Sequence, residues 1–414
     1  MNKADHIACL LFCLASPFVL MAQTAYFSHI TTEDGLTSNN IRSVAIDKKG
    51  FLWIGTVDGL NVYDGYSVTS YQKKDQPEMA ANNVIHLTVD NKNNVWLGTN
   101  EGATRVNEYR KFQRIIINDT VSKFVCRTIM DTKAYGVILY TSLGQYYLNK
   151  ANKWQQLAWI PDIMRYRGFS DAAPFADDKI IYATDSLVMI MDYASRRIIY
   201  EQPFSNVSSV CRINENEIAV GIQTGLVNIV DIRTKNIIRT YQLNFPSGGK
   251  IINTTLNELR PSRNGYPLVA GTFSGLFVID SSGKITVHTH NPIDARSVTN
   301  DIIVRVEVSN DGEVIAGSSF AGISVFNVYN KPAGFTRIFM DEQGKFYDSY
   351  LSDVAEDSKG NIWIGGFETI IKWNKEKNSS KFYKYYSSTA GDSRGFEIRT
   401  LCVDKQDRVW AGSL

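Results

Sequence analysis

From Ile41 to Gln72 the chain alternates short apolar runs with polar punctuation. IRSVAID (41–47) reads as a first strand, KKG (48–50) as a turn and FLWIGT (51–56) as a second strand. VDG (57–59) is a second turn, LNVYDG (60–65) a third strand and SVTSYQ (67–72) a fourth. The same phrase returns along the chain. With Gly55 as its marker, equivalents fall at Gly98, Tyr140, Ala183, Gly221, Gly271, Gly317, Gly365 and Gly412, between 38 and 50 residues apart. A period of this length signals a solenoid or a propeller. No window of a dozen residues carries a clean helical period, so helical repeats are excluded. Four short strands per period predict the blade of a β-propeller, and the chain is read as all-β.

Each recurring residue has a packing role in that reading. Asp47, Asp90, Asp357 and Asp404 end the first strands, where a carboxylate can cap the turn through backbone N–H groups. Trp53, Trp96, Trp363 and Trp410 open the second strands and are expected to fill the wedge between blades. Gly55 and its equivalents let neighbouring sheets approach, and Gly59, Gly102, Gly225, Gly275 and Gly322 serve tight turns. The phrase is therefore structural. The middle repeats, GVILYTSLGQYYLN and KIIYATDSLVMIMD, lack the Trp and the first Gly.

The motif Asp-x-x-Gly-x-Leu-Trp-Ile-Gly-Thr-x-x-Gly-Leu, with GLTSNNIRSVAID upstream, closely resembles the two-component regulator propeller repeat. Positions 34–65 match it almost residue for residue. The resemblance implies the periplasmic sensor region of a hybrid two-component system from a glycan-degrading gut bacterium. In that family two seven-bladed propellers precede a β-sandwich, a membrane helix, a histidine kinase, a receiver and a DNA-binding domain. Against that pattern, the 414-residue chain is expected to be a truncated member. It would comprise a signal peptide (1–22), a seven-bladed β-propeller (23–332) and the first blades, about two, of a second propeller (333–414). The segment Tyr26–Ile30 is expected to close the seventh blade as its outer strand, and Phe335–Met340 to open the second propeller.

The N-terminal segment sets the compartment. Lys3 precedes an apolar run from Ile7 to Ala22 that is short for a membrane span, so export with cleavage after Ala22 is expected, with a periplasmic location. No later run is long enough for a span in the mature chain. A net charge of +2 makes no broad case for nucleic acid or anionic membrane. Cys126, Cys211 and Cys402 sit in apolar strands and are read as buried thiols; no Cys-x-x-Cys pair points to zinc or redox chemistry.

No catalytic constellation stands out, and no cofactor or metal is expected. His288 and His290 in VHTH could share a strand face, but no third ligand is identifiable, and exposed outer-strand histidines are the plainer reading. Two candidate ligand-binding groups remain. The loop AWIPDIMRYRGFSD between blades three and four carries Trp159, Arg165, Tyr166 and Arg167. Aromatic faces stack on sugar rings and Arg forks onto carboxylate or sulfate, although the same residues could pin an ordinary loop. Inner strands carry polar residues at one recurring position, with His86, Arg127 and Arg305 aligned there; they either reach a ligand or line a water-filled channel. The expected activity is oligosaccharide binding without bond breaking, with a homodimer as a possible assembly. A propeller glycosidase or lyase and a protein-interaction scaffold are the rival readings.

Overall fold

The computed structural model describes residues 26–117, 121–159, 170–247, 250–329, 339–340, 346–347, 351–374, 379–384 and 397–413. The expected signal peptide lies outside them. The chain divides into two compact units, Met1–Pro332 and Ala333–Leu414.

The first unit is a β-propeller. Between Ser28 and Asn327 its described residues form seven four-stranded antiparallel sheets, and a hairpin (Asn244–Ser247 with Lys250–Asn253) stands between the fifth and sixth. Six blades take four strands in chain order. The seventh uses Ile303–Val308, Glu313–Ser318 and Ile323–Asn327, and takes its fourth strand from the other end of the chain, Ser28–Ile30. Ser28 pairs with Val325 and Ile30 with Ile323, as the N-terminal segment predicts. This latch joins residues nearly 300 positions apart, so the ring closes through sheet hydrogen bonds. The first strand of blade 1, Ile41–Ile46, accordingly lies beside both Val84–Val89 of blade 2 and Ile303–Val308 of blade 7.

The core lies between blades. Trp53 and Leu60 of blade 1 cluster with Val84 and Leu97 of blade 2, and Ile315 and Ile323 of blade 7 with Ile41 and Ile54 of blade 1. The marker glycines explain the spacing. A Cβ on Gly98 would lie 2.6 Å from the Cys126 carbonyl oxygen, and one on Gly317 would lie 2.7 Å from Ile41 Cγ2. Without a side chain there, the next blade's first strand sits directly against the sheet.

The conserved spacing of Asp and Trp within the repeat is a hydrogen-bonded hook. One oxygen of Asp90 accepts from the backbone N–H groups of Lys92 (2.9 Å) and Asn94 (2.8 Å), and the other accepts from the Trp96 indole (2.8 Å). Asp47 with Trp53, Asp357 with Trp363 and Asp404 with Trp410 repeat it. One carboxylate thus fixes the turn and the indole together.

In the second unit, Leu351–Glu356, Asn361–Gly366, Thr369–Asn374 and Ser379–Lys384 form a four-stranded sheet. Ile398–Val403 pairs with Val409–Ser413, and Phe339–Met340 with Phe346–Tyr347. Trp410 is 58% exposed, whereas Trp96 is 4% exposed. The hook therefore forms whether or not a neighbouring blade covers the indole. Cys402 is exposed, which corrects its reading as a buried thiol: in a paired strand alternate residues face away from the core. Cys126 and Cys211 are buried, and burial pushes both thiols up, Cys211 to about 12.

Candidate functional site

The seven first strands surround a central cavity of about 1200 Å3. Its wall includes Ser43, His86, Thr128, Asp171, Glu258 and Arg305, drawn from six different blades. The sheet register shows why these residues recur. Each stands opposite the marker residue of its own blade: Ser43 opposite Gly55, His86 opposite Gly98, Thr128 opposite Tyr140, Asp171 opposite Ala183, Ser209 opposite Gly221, Glu258 opposite Gly271 and Arg305 opposite Gly317. His86 and Arg305 therefore share a position, as expected. Arg127 does not. A bulge between Cys126 and Thr128 shifts the register, so Thr128 holds the column and Arg127 is turned out at the bulge, exposed on the cavity wall.

The column stitches the ring together. Ser43 Oγ accepts the Leu87 N–H of blade 2 at 2.7 Å, and His86 Nε2 donates to the Ile129 carbonyl of blade 3 at 3.2 Å. Asp171 Oδ2 accepts the Val210 N–H at 3.0 Å, Ser209 Oγ the Leu259 N–H at 3.0 Å, and Glu258 Oε2 the Val306 N–H at 2.6 Å. Arg305 donates to the Arg42 carbonyl and closes the circle onto blade 1. First strands are sheet edges, whose inward backbone groups lack a sheet partner. The side chain of one blade satisfies a backbone group of the next.

The same groups set the electrostatics. Arg260 bridges Glu258 at 2.5 Å and Asp171 at 3.3 Å, so one guanidinium is shared by two carboxylates. Glu307 keeps some exposure to the channel, yet burial raises its carboxyl to about 7; Arg260 opposes the rise and Glu258 adds to it. Burial lowers His86 to about 4, against its bond to Ile129, and the charges of Arg305 and Arg260 lower it further. At neutral pH His86 is an uncharged stitch.

The junction of blades 3 and 4 is built differently. Tyr140 stands where the other sheets mostly have glycine, and the hydroxyls of Tyr140, Tyr182 and Tyr193 meet in a buried trio. The amide of Ala172, the counterpart of the N–H groups stitched elsewhere, is taken by its neighbour Asp171. The cavity extends outward here: Tyr140, Thr141, Ser142, Gly144 and Gln145 line it, the only second-strand and third-strand residues among those that line it.

Of the loop candidates, Trp159 is half-buried and packs edge-on against Tyr193 with ring centroids 5.3 Å apart, on the cluster between blades 3 and 4. It is not among the residues that line the cavity. Arg165, Tyr166 and Arg167 lie outside the described residues. His288 is not an exposed outer-strand histidine: its ring packs against Phe27 (5.4 Å) and Phe326 (5.3 Å), and burial lowers it to about 4. His290 falls beyond that strand, with Nδ1 on the Val298 carbonyl. Among the described residues no group of three or more His, Cys, Asp or Glu is placed to hold a metal.

The sequence reading missed Asp171, Ser209, Glu258, Arg260, Gln145 and Glu307. Counting could have found three of them: the column lies 12 residues before the marker, 13 in blade 6, which singles out Asp171, Ser209 and Glu258.

Residues 35–58 match the two-component regulator propeller family. Among curated proteins no sequence matches. Among solved structures, the extracellular domain of the hybrid two-component system protein BT3049 from B. thetaiotaomicron is similar at TM-score 0.57 and 16% identity, over 94% of this chain and 58% of that one. The extracellular domain of BT4673 from the same bacterium gives 0.57 and 19%, over 94% and 51%. The chain thus spans little more than half the length of these two sensor domains. Virginiamycin B lyase from Staphylococcus aureus is similar at 0.52 and 10%, over 73% of this chain and 98% of the lyase. At these identities the likeness is one of fold.

Proposed function

We propose that this two-component regulator propeller is the ligand-sensing part of an extracytoplasmic signalling protein, and that the central channel of its first unit binds an oligosaccharide. The observation that carries the reading is the cavity of about 1200 Å3, walled by polar and charged side chains from all seven blades and widened between blades 3 and 4. A concave site with many donors and acceptors on a rigid frame suits a polyhydroxylated ligand. The likeness to extracellular domains of two-component sensors supports both the sensing role and the location. Bond breaking has less support. A retaining or inverting pair needs two carboxyl groups free to act, and Asp171 and Glu258 are committed to backbone amides and to Arg260.

Calorimetric titration of neutral and acidic oligosaccharides against the purified protein tests the reading. Ser170→Trp, which places an indole in the cavity wall, is expected to weaken binding about 10-fold or more. No saccharide binding, or binding indifferent to Ser170→Trp, would overturn the assignment of the channel.

A further inference from the structure

Two side chains of blade 3 carry donors that the inter-blade bonds do not use. Gln145 is 4% exposed and lines the cavity, and its Nε2 has no hydrogen-bond partner. Its Oε1 accepts from the Tyr193 hydroxyl at 3.4 Å. Buried side-chain polar atoms are nearly always satisfied in a folded protein, so an amide donor left over on a cavity wall marks the place of an acceptor that comes from elsewhere. Arg127 is the second. It lines the same cavity, is exposed to it, and makes no ion pair among the described residues.

The register brings the two to one end of blade 3. Thr128, next to Arg127, is opposite Tyr140, and Tyr140 is opposite Gln145. The cavity reaches Gln145 because Tyr140, in the marker position, replaces the glycine that in five other blades lets the next blade close in. The neighbouring charges are engaged elsewhere. Asp171 and Glu258 are both held by Arg260, and Arg305 donates to the carbonyl oxygens of Arg42 and Val304, which leave its charge in place.

We infer that this end of the channel is an anion subsite, in which Arg127 forks onto a carboxylate or sulfate of the ligand and Gln145 Nε2 donates to one of its oxygens. The proposal rests on the channel being the ligand site, and it specifies the ligand as an acidic saccharide. Arg is suited to the role because its planar donors match both oxygens of a carboxylate or sulfate. The amide adds a donor fixed in direction by its bond to Tyr193.

A matched pair of probes tests it. Glucuronyl-β-1,4-glucose and cellobiose differ by one carboxylate and are titrated at equal ionic strength. The acid is expected to bind about 10-fold tighter. In Arg127→Ala that preference should vanish, and in Gln145→Met the acid should lose about 3-fold to 10-fold. Thermal melts confirm that each variant is folded; Arg127 is exposed, so its removal is not expected to affect folding. In parallel, the Gln145 side-chain amide signal is followed by nitrogen-15 NMR during titration with sodium sulfate. It should shift in the wild type and stay still in Arg127→Ala. Equal affinity for the two disaccharides, or a preference that survives Arg127→Ala, overturns the subsite while leaving saccharide binding in the channel intact. If neither disaccharide binds, the oligosaccharide reading fails, and the sulfate titration alone decides the subsite: no shift at Gln145 overturns it.

Discussion

Ser209→Ala isolates the stitching of the ring. The residue is fully buried, and its hydroxyl joins three blades: Oγ accepts the Leu259 N–H of blade 6 at 3.0 Å and donates to Asp171 Oδ2 of blade 4 at 2.6 Å. Alanine removes one oxygen and leaves almost no cavity, so the cost is polar. The Leu259 N–H is orphaned in a buried place, worth about 1–3 kcal/mol. Asp171 loses a charge-assisted bond but keeps the Val210 N–H at 3.0 Å and Arg260 at 3.3 Å, so roughly 1 kcal/mol is assigned there. The expected total is about 2–4 kcal/mol. Ser43→Ala is the comparator. Ser43 makes a single stitch, to Leu87 at 2.7 Å, and its loss is expected to cost about 1–2 kcal/mol. Urea unfolding followed by tryptophan fluorescence reads both, as a lowered midpoint with an unchanged slope. A double-mutant cycle with Asp171→Asn should show coupling above about 0.5 kcal/mol, since the pair is in direct contact. A Ser209→Ala protein within about 0.5 kcal/mol of wild type would mean that the belt is geometry without energetic weight, and the stitching argument would fall.

Gly98→Ala drives a methyl to 2.6 Å from a backbone carbonyl, and should lower stability by about 1–3 kcal/mol in the same unfolding assay; an unchanged midpoint would show that blades 2 and 3 can part without cost. Acid should weaken the ring through His288 and His86. Both are lowered to about 4, so the unfolded chain binds more protons between about pH 6.5 and 4, and stability falls as pH falls through that window, by about 2–3 kcal/mol per group after solvent screening. His288→Gln should flatten the dependence of melting temperature on pH there; a slope identical to wild type would refute the assignment. Glu307 works in the opposite sense: raised to about 7, it withdraws stability as pH rises from about 4.5 to 7, and Glu307→Gln should remove that loss. Hydrogen exchange should show strong protection in the first-unit strands and weak protection in Leu351–Glu356 and Val409–Ser413, where Val354 is 62% exposed; equal protection would mean that these strands are covered in solution.

Much of the fold was legible because its information is local. Period-2 alternation, Gly and Asp at turns, and a recurring Trp each act within one hairpin, so strands, turns and blade count can be read by counting along the chain. Even the latch follows, since a strand ahead of the first blade has one open edge to join. The Asp-Trp hook was half legible: the turn cap is a local rule, but the bond from the carboxylate to the indole across the hairpin depends on the register between two strands. The site was mostly not legible, because it is made of residues 40 to 260 positions apart that only ring closure brings together. A single bulge moved Arg127 out of the column that Thr128 occupies, and no composition or spacing signal announces a bulge. His288 read as exposed because its own strand is an outer one, yet the N-terminal latch brings Phe27 over it. Tyr140 read as a degenerate marker, a lost glycine. In the ring its bulk holds open the junction of blades 3 and 4, and whether a side chain at that position clashes, fills or opens a space is decided by the neighbouring blade.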